Sequence, residues 1–172
     1  LSARPAVFCP FVARPNDVIP DRKALGMDPA TAAAKGVYAV RRASCDATVV
    51  LQGSAVMTLF MRDVLKKLDE TKTKVNVFYV ASAELFDLLP ESEQEALFPS
   101  NLRQHAMGIT DFTLPTLWRW VRSEEGLKKS LHSFKHGAFL GSGAWEQVLV
   151  EGGMDGASQL AAILDWCQVK GK

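Results

Sequence analysis

The run from Ala47 to Val80 constrains the fold more than any other part of the chain. Ala47-Thr48-Val49-Val50-Leu51-Gln52 is apolar and β-branched, Gly53-Ser54 makes a turn, and a helical period then takes over. Met57, Phe60, Met61, Val64, Leu65 and Leu68 recur at i, i+3, i+4, i+7, i+8 and i+11, while Arg62, Asp63, Lys66 and Lys67 occupy the opposite face. Ser54 stands where a helix N-cap belongs. After the polar residues 69–74, the run 75–80 (VNVFYV) is too continuously apolar for a strand with one wet face. Strand, helix, strand is a βαβ unit, whose crossover makes the two strands parallel and lays the helix on the sheet. The fold class is therefore α/β.

The rest of the chain extends this pattern. Residues 105–110 read as a third strand and 138–140 as a last short one. Asp28 as N-cap, Pro29 at the first helical position and Gly36 past the end delimit a short helix over 30–35. A helical piece at 83–89 closes at Pro90, and 91–98 is polar enough to lie outside. Pro115 opens a helix that runs through Trp118, Trp120 and Val121 and ends near Gly126. The chain finishes in helices at 144–150 and from Ser158, where Leu160, Ile163, Leu164 and Cys167 form one stripe. Upstream, the apolar run 5–12 stops at Arg14-Pro15-Asn16-Asp17 and reads as the last strand of a preceding domain, with 17–36 as linker.

Composition removes several function classes. Across 172 residues, 20 Lys plus Arg oppose 19 Asp plus Glu for a net charge of +1, so no overall field draws the chain to nucleic acid or to a membrane surface. The 48% apolar content suits one ordinary core, and no apolar run approaches the roughly 20 residues that span a bilayer. Cys9, Cys45 and Cys167 lie far apart without a Cys-x-x-Cys pair, against a disulfide framework or zinc site and in favour of a reducing, cytoplasmic setting. The start at Leu1, without a signal segment, reads as part of a longer polypeptide.

Candidate chemistry is sparse. Gly53 and Ser54, between a buried strand and a helix start, are placed to receive an anion, but they lack the glycine spacing that wraps a phosphate chain and read more plainly as a turn with a cap. Gly141-Ser142-Gly143 has the same two readings. His132 and His136 are four apart like a pair of metal ligands, but no third ligand lies near, so a solvated basic loop with Lys128, Lys129 and Lys135 is the simpler reading. Trp118 and Trp120, two apart, cannot enter one core together. Cys9 and Cys167 read as buried and inert. Glu84 and Asp87 could share a helix face as an acid–base pair, although exposed acids after a strand are common. Neither a complete catalytic set nor a metal site emerges. Arg14 ends its strand where α/β sheets bind ligands and suits a phosphate; pairing with a carboxylate at a domain boundary is equally open.

Taken in order, Ala13-Arg14-Pro15-Asn16, Lys35-Gly36-Val37-Tyr38, Val49-Val50-Leu51-Gln52-Gly53-Ser54 and the run from Val75 to Leu85-Phe86-Asp87 resemble the C-terminal third of transketolases over nearly the whole chain. Thr110-Asp111-Phe112 and the Gly-Ser turn are similar to the related pyruvate dehydrogenase first components, which leaves both branches open. The resemblance implies a three-layer α/β/α module with a mixed, mostly parallel five-stranded sheet, residues 1–35 ending a pyrimidine-binding domain and its linker, and 36–172 forming the C-terminal domain. It implies a homodimeric parent that uses thiamine diphosphate and Mg2+ to move a two-carbon ketol unit between sugar phosphates. Arg14 would then grip the substrate phosphate, and this part of the chain would bind no cofactor alone, its missing diphosphate- and pyrimidine-binding domains doing so. A free-standing regulatory or interaction domain with this fold is the alternative from another class.

Overall fold

The computed structural model describes residues 18–170 together with Val7 and Cys9. Five strands form one sheet: β1 (Val37–Arg41), β2 (Thr48–Gln52), β3 (Asn76–Val80), β4 (Ala106–Thr110) and β5 (Leu131–His132). Their order is β1-β3-β2-β4-β5. Only β1 and β3 run antiparallel; β2 pairs in parallel with both β3 and β4, and β4 with β5.

Alternation along the strands sends side chains to two cores. Val49, Leu51, Val77, Met107 and Ile109 face one way. Helix α1 (Ser54–Leu59), a π-helical turn (Phe60–Val64) and α2 (Leu65–Glu70) cover them, joined by Ile163 and Trp166 of the C-terminal helix. Val50, Phe78, Val80 and Ala106 face the other way. Over them lie α3 (Ala83–Asp87), α4 (Glu91–Leu97), α5 (Ser100–Gln104) and α6 (Glu124–Lys129). Two more helices, α7 (Trp145–Glu151) and α8 (Gly156–Lys170), end the chain. The result is the expected three-layer arrangement with a mixed five-stranded sheet.

The helix after β2 is not regular throughout. In the π turn the Leu65 N–H reaches back to the Phe60 carbonyl, and Phe60 and Val64 both stay buried. Single π turns inside α-helices relieve local misfits. This one lies against the start of α8, where a Cβ on Gly156 would stand 2.4 Å from the Asp63 Cβ, so glycine is what lets α8 approach.

Several local expectations are corrected. Pro115 starts only a 3-10 turn, Leu114–Leu117. Helix does not continue to residue 126 because the Arg122 N–H donates to the Arg103 carbonyl and Ser123 caps a new helix, accepting from Gly126 N at 3.1 Å. The fifth strand is Leu131–His132, beside Ile109 and Thr110, rather than 138–140; the Ser130 hydroxyl accepts from Gly108 N at 2.8 Å and sets that alignment. Asp28 does not cap the 3-10 turn Ala30–Lys35; its carboxylate accepts from Ala39 N at 2.8 Å and closes the outer edge of β1. The residue at the N-cap of α1 is Gly53, with no side-chain capping bond, and Ser54 is the first residue of the helix. Helix α8 begins before Ser158, with the Asp155 carboxylate accepting from Ala157 N. The polar segment 91–98 lies outside except at its end, where Leu97 packs half-buried against the second core and Phe98 is fully buried, stacking on Phe78 with ring centres 4.4 Å apart. Cys9 is exposed, not buried, whereas Cys167 is half-buried and burial pushes its thiol up to about 11. Apart from Val7 and Cys9, the expected strand at 5–12 lies outside the described residues, as does Arg14.

Candidate functional site

Open α/β sheets bind ligands at the carboxyl ends of their strands, where the strand order reverses. Here β2 is followed by β3 on one side and flanked by β4 on the other, so that point lies between the ends of β2 and β4. Gly53 and Ser54 form the turn there. Gly53 takes φ +105 and ψ 147, aiming the first free N–H groups of α1 across the gap towards the end of β4.

The anion at those N–H groups is the chain's own. One oxygen of Asp111, Oδ2, accepts from Ala55 N at 3.1 Å and from Val56 N at 3.4 Å. The Asp111 N–H in turn donates to the Gln52 carbonyl at 3.1 Å, so the carboxylate is fastened to both strands. The fit is close: a Cβ on Gly53 would stand 2.3 Å from Oδ2. Around it, Gln52 Oε1 accepts from the Thr110 and Thr116 hydroxyls at 3.2 and 2.9 Å, and Thr110 Oγ1 accepts from Phe112 N. Burial raises the Asp111 carboxyl above the ordinary aspartate range, opposed by the Val56 and Ala55 N–H groups. Tyr79, on β3, is pushed up to about 12, first by burial and then by Tyr38 and Asp111.

Ligand chemistry at this corner follows from the filled position. A diphosphate or sugar phosphate would meet a carboxylate where it needs donors, and its magnesium would meet a single acid already engaged with two N–H groups. These residues do not fit thiamine diphosphate with its metal. Among the described residues no group of three or more His, Cys, Asp or Glu side chains is arranged to hold a metal ion.

The other singled-out residues lie apart from this corner. Glu84 accepts from the Ser82 hydroxyl at 2.9 Å, and its own backbone N–H, then Ser82, holds its carboxyl low. Asp87 pairs with Arg119, whose hydrogen bonds hold it low as well. Each acid is tied to its own partner and ionised, unsuited to donate a proton. Burial, then Lys135 and His136, keeps the His132 imidazole towards its neutral form. Lys128 pairs with Glu124, Lys129 with Asp165, and Lys135 Nζ donates to the Ser130 carbonyl at 2.8 Å. Gly141 N donates to Glu151, which folds the Gly141–Gly143 turn against the far end of α7. Trp120 is fully buried and Trp118 is 60% exposed, as their spacing requires.

No protein-family model and no curated protein matches the chain. Solved structures do. Transketolase from Leishmania mexicana superposes with a TM-score of 0.61 at 16% identity, over 82% of this chain and 19% of its own. Transketolase from Campylobacter jejuni gives 0.57 at 19% identity, over 77% and 19%. A Pichia stipitis transketolase mutant in complex with xylulose-5-phosphate gives 0.54 at 21% identity, over 81% and 19%. The chain has the fold of a transketolase C-terminal domain and spans about a fifth of those chains.

Proposed function

We propose that this chain is the C-terminal module of a larger transketolase-like enzyme that uses thiamine diphosphate and Mg2+ to transfer a two-carbon ketol unit between sugar phosphates. In this reading the module braces and helps to pair the subunits of a cytoplasmic homodimer and does not carry the chemistry. The observation behind it is the fold match, extensive on this chain and confined to 19% of each transketolase. The Asp111 carboxylate at the start of α1 agrees with it, since cofactor and metal then belong to the diphosphate- and pyrimidine-binding domains. Residues 1–35 would end the pyrimidine-binding domain and its linker, with Arg14 gripping the substrate phosphate by paired charge-assisted hydrogen bonds.

The test uses the full parent polypeptide, assayed for two-carbon transfer from a ketose phosphate to an aldose phosphate. Arg14→Ala should raise KM for phosphorylated sugars at least about tenfold, the scale of one lost charge-assisted contact, and leave unphosphorylated sugars nearly unchanged. Equal effects on both would remove the grip assigned to Arg14. A parent without transfer activity would remove the whole reading.

A further inference from the structure

Arg103, on α5, carries its charge where an arginine seldom does. It is only 8% exposed, and its guanidinium lies 5.8 Å over the ring of the fully buried Phe98. Buried charges are normally paired and fully hydrogen-bonded. Here a single acid serves it, at one nitrogen: Nη2 donates to Glu95 Oε2 at 3.0 Å and to the Ser100 hydroxyl at 3.1 Å. Glu95 has little more to give, because Oε1 accepts from Ser100 N and Oε2 from the Ser100 hydroxyl, both at 2.7 Å. Nε is buried with no partner, and Nη1 donates to no group among the described residues.

A second arginine stands beside this half-used one. The Arg122 N–H donates to the Arg103 carbonyl at 3.0 Å, which brings the two backbones together near the amino end of β4. Arg122 is exposed and joins no ion pair among the described residues. Arg119, just before it, is by contrast satisfied, with both terminal nitrogens on the Asp87 carboxylate. Residues 99–122 contain these three arginines and a single acid, Asp111, which is held at the opposite end of β4. On the flanking helices Glu93 pairs with Lys35 and Glu124 with Lys128. Burial, then the Arg122 charge, pushes the Arg103 guanidinium down, ahead of the opposing pull of Glu95. An anion at this point would meet unspent donors and an excess of positive charge.

We propose that Arg103 and Arg122 together bind a phosphate group, free or as a monoester, with Arg103 Nη1 as the fixed donor and the exposed Arg122 side chain closing over the same oxyanion. Guanidinium N–H groups match phosphate oxygens, and a tetrahedral oxyanion takes donors from two directions, whereas a planar carboxylate is filled by one fork. Glu95 and Ser100 are then positioning residues, holding the Arg103 plane so that Nη1 is presented. The site rests on these side chains and not on the transferase reading, so either can fail without the other.

The test is a titration of the full 172-residue chain with inorganic phosphate, at an ionic strength held constant with sodium chloride, followed by the nitrogen–proton NMR signal of Arg103 Nε. That N–H is shielded from bulk water and should exchange slowly. Its signal should move along a saturating curve with Kd about 0.3–10 mM, the scale for a small ion held by two charged groups. Arg122→Gln leaves the buried Arg103 in place and should weaken binding at least about tenfold. Lys66→Gln removes the same charge from α2, over the other core, and should change Kd less than about twofold. Thermal unfolding gives a second readout: phosphate at about ten times Kd should raise the Tm of the wild type and of Lys66→Gln but not of Arg122→Gln. Methyl phosphate separates the sources, tighter binding than inorganic phosphate assigning the site to monoesters and weaker binding to the free ion. No change in either readout by about 50 mM phosphate, an unchanged Kd in Arg122→Gln, or an equal loss in Lys66→Gln would overturn the site.

Discussion

Replacing Gly53 by alanine tests whether the Asp111 carboxylate is seated at the start of α1. The perturbation has two separable costs. At φ +105 and ψ 147 Gly53 occupies backbone space nearly restricted to glycine, which costs an alanine about 1–3 kcal/mol. The new Cβ also lands 2.3 Å from Asp111 Oδ2, 2.6 Å from its Cγ and 2.8 Å from its Cβ, so the carboxylate must leave. With it go the bonds from Ala55 and Val56 N–H, a loss of the size of a helix cap, about 0.5–2 kcal/mol. Gly53→Ala should therefore destabilise by roughly 1.5–5 kcal/mol in total. In an Asp111→Ala background the carboxylate's share of the cost drops out, leaving the backbone cost and the 2.8 Å approach to the Cβ retained at residue 111, and the two changes should couple by about 1 kcal/mol or more. Urea unfolding of the wild type, both single variants and the double variant, followed by circular dichroism with unchanged m-values, measures every corner of the cycle. If Gly53→Ala costs the same with and without Asp111, the carboxylate does not occupy that turn and the reasoning about the filled corner fails.

The same carboxyl makes a prediction in pH. Burial raises its folded pKa above the unfolded value, so its favourable contribution is complete below the ordinary aspartate range and is lost as pH rises through the folded pKa. The Tm of Asp111→Asn relative to wild type should accordingly rise as pH increases through and above the ordinary aspartate range, and a fall there would contradict the burial argument. The two tryptophans should separate cleanly. Trp120→Ala, which empties a fully buried site against Phe86 and Phe98, should cost about 3–5 kcal/mol in urea unfolding, while Trp118→Ala should stay within about 0.5 kcal/mol.

The parts of the fold that could be read along the chain are those in which a local repeat carries the information. Met57 to Leu68 repeats at the helical period and 75–80 is apolar throughout, so strand, helix and strand were legible without knowledge of any neighbour. The split between Trp118 and Trp120 followed from a spacing of two in the same way. The fifth strand was misplaced because apolar content favoured 138–140, whereas the sheet took Leu131, aligned by Ser130 and the free edge of β4. Asp111 stood in view only as the middle of Thr110-Asp111-Phe112. An acid directly after a strand, with a glycine turn after another strand, was the available signal, but it becomes a contact only once β2 and β4 are known to be neighbours.

Hydrophobic periodicity thus settled the α/β class and the central βαβ unit, because burial of a stripe depends on residues within a few turns of one another. Tertiary structure alone decided what fills the corner at Gly53 and which residues close the sheet edges. Those outcomes depend on which strands become neighbours, and hydrogen-bond partners supplied across the sheet override the preference of any short segment.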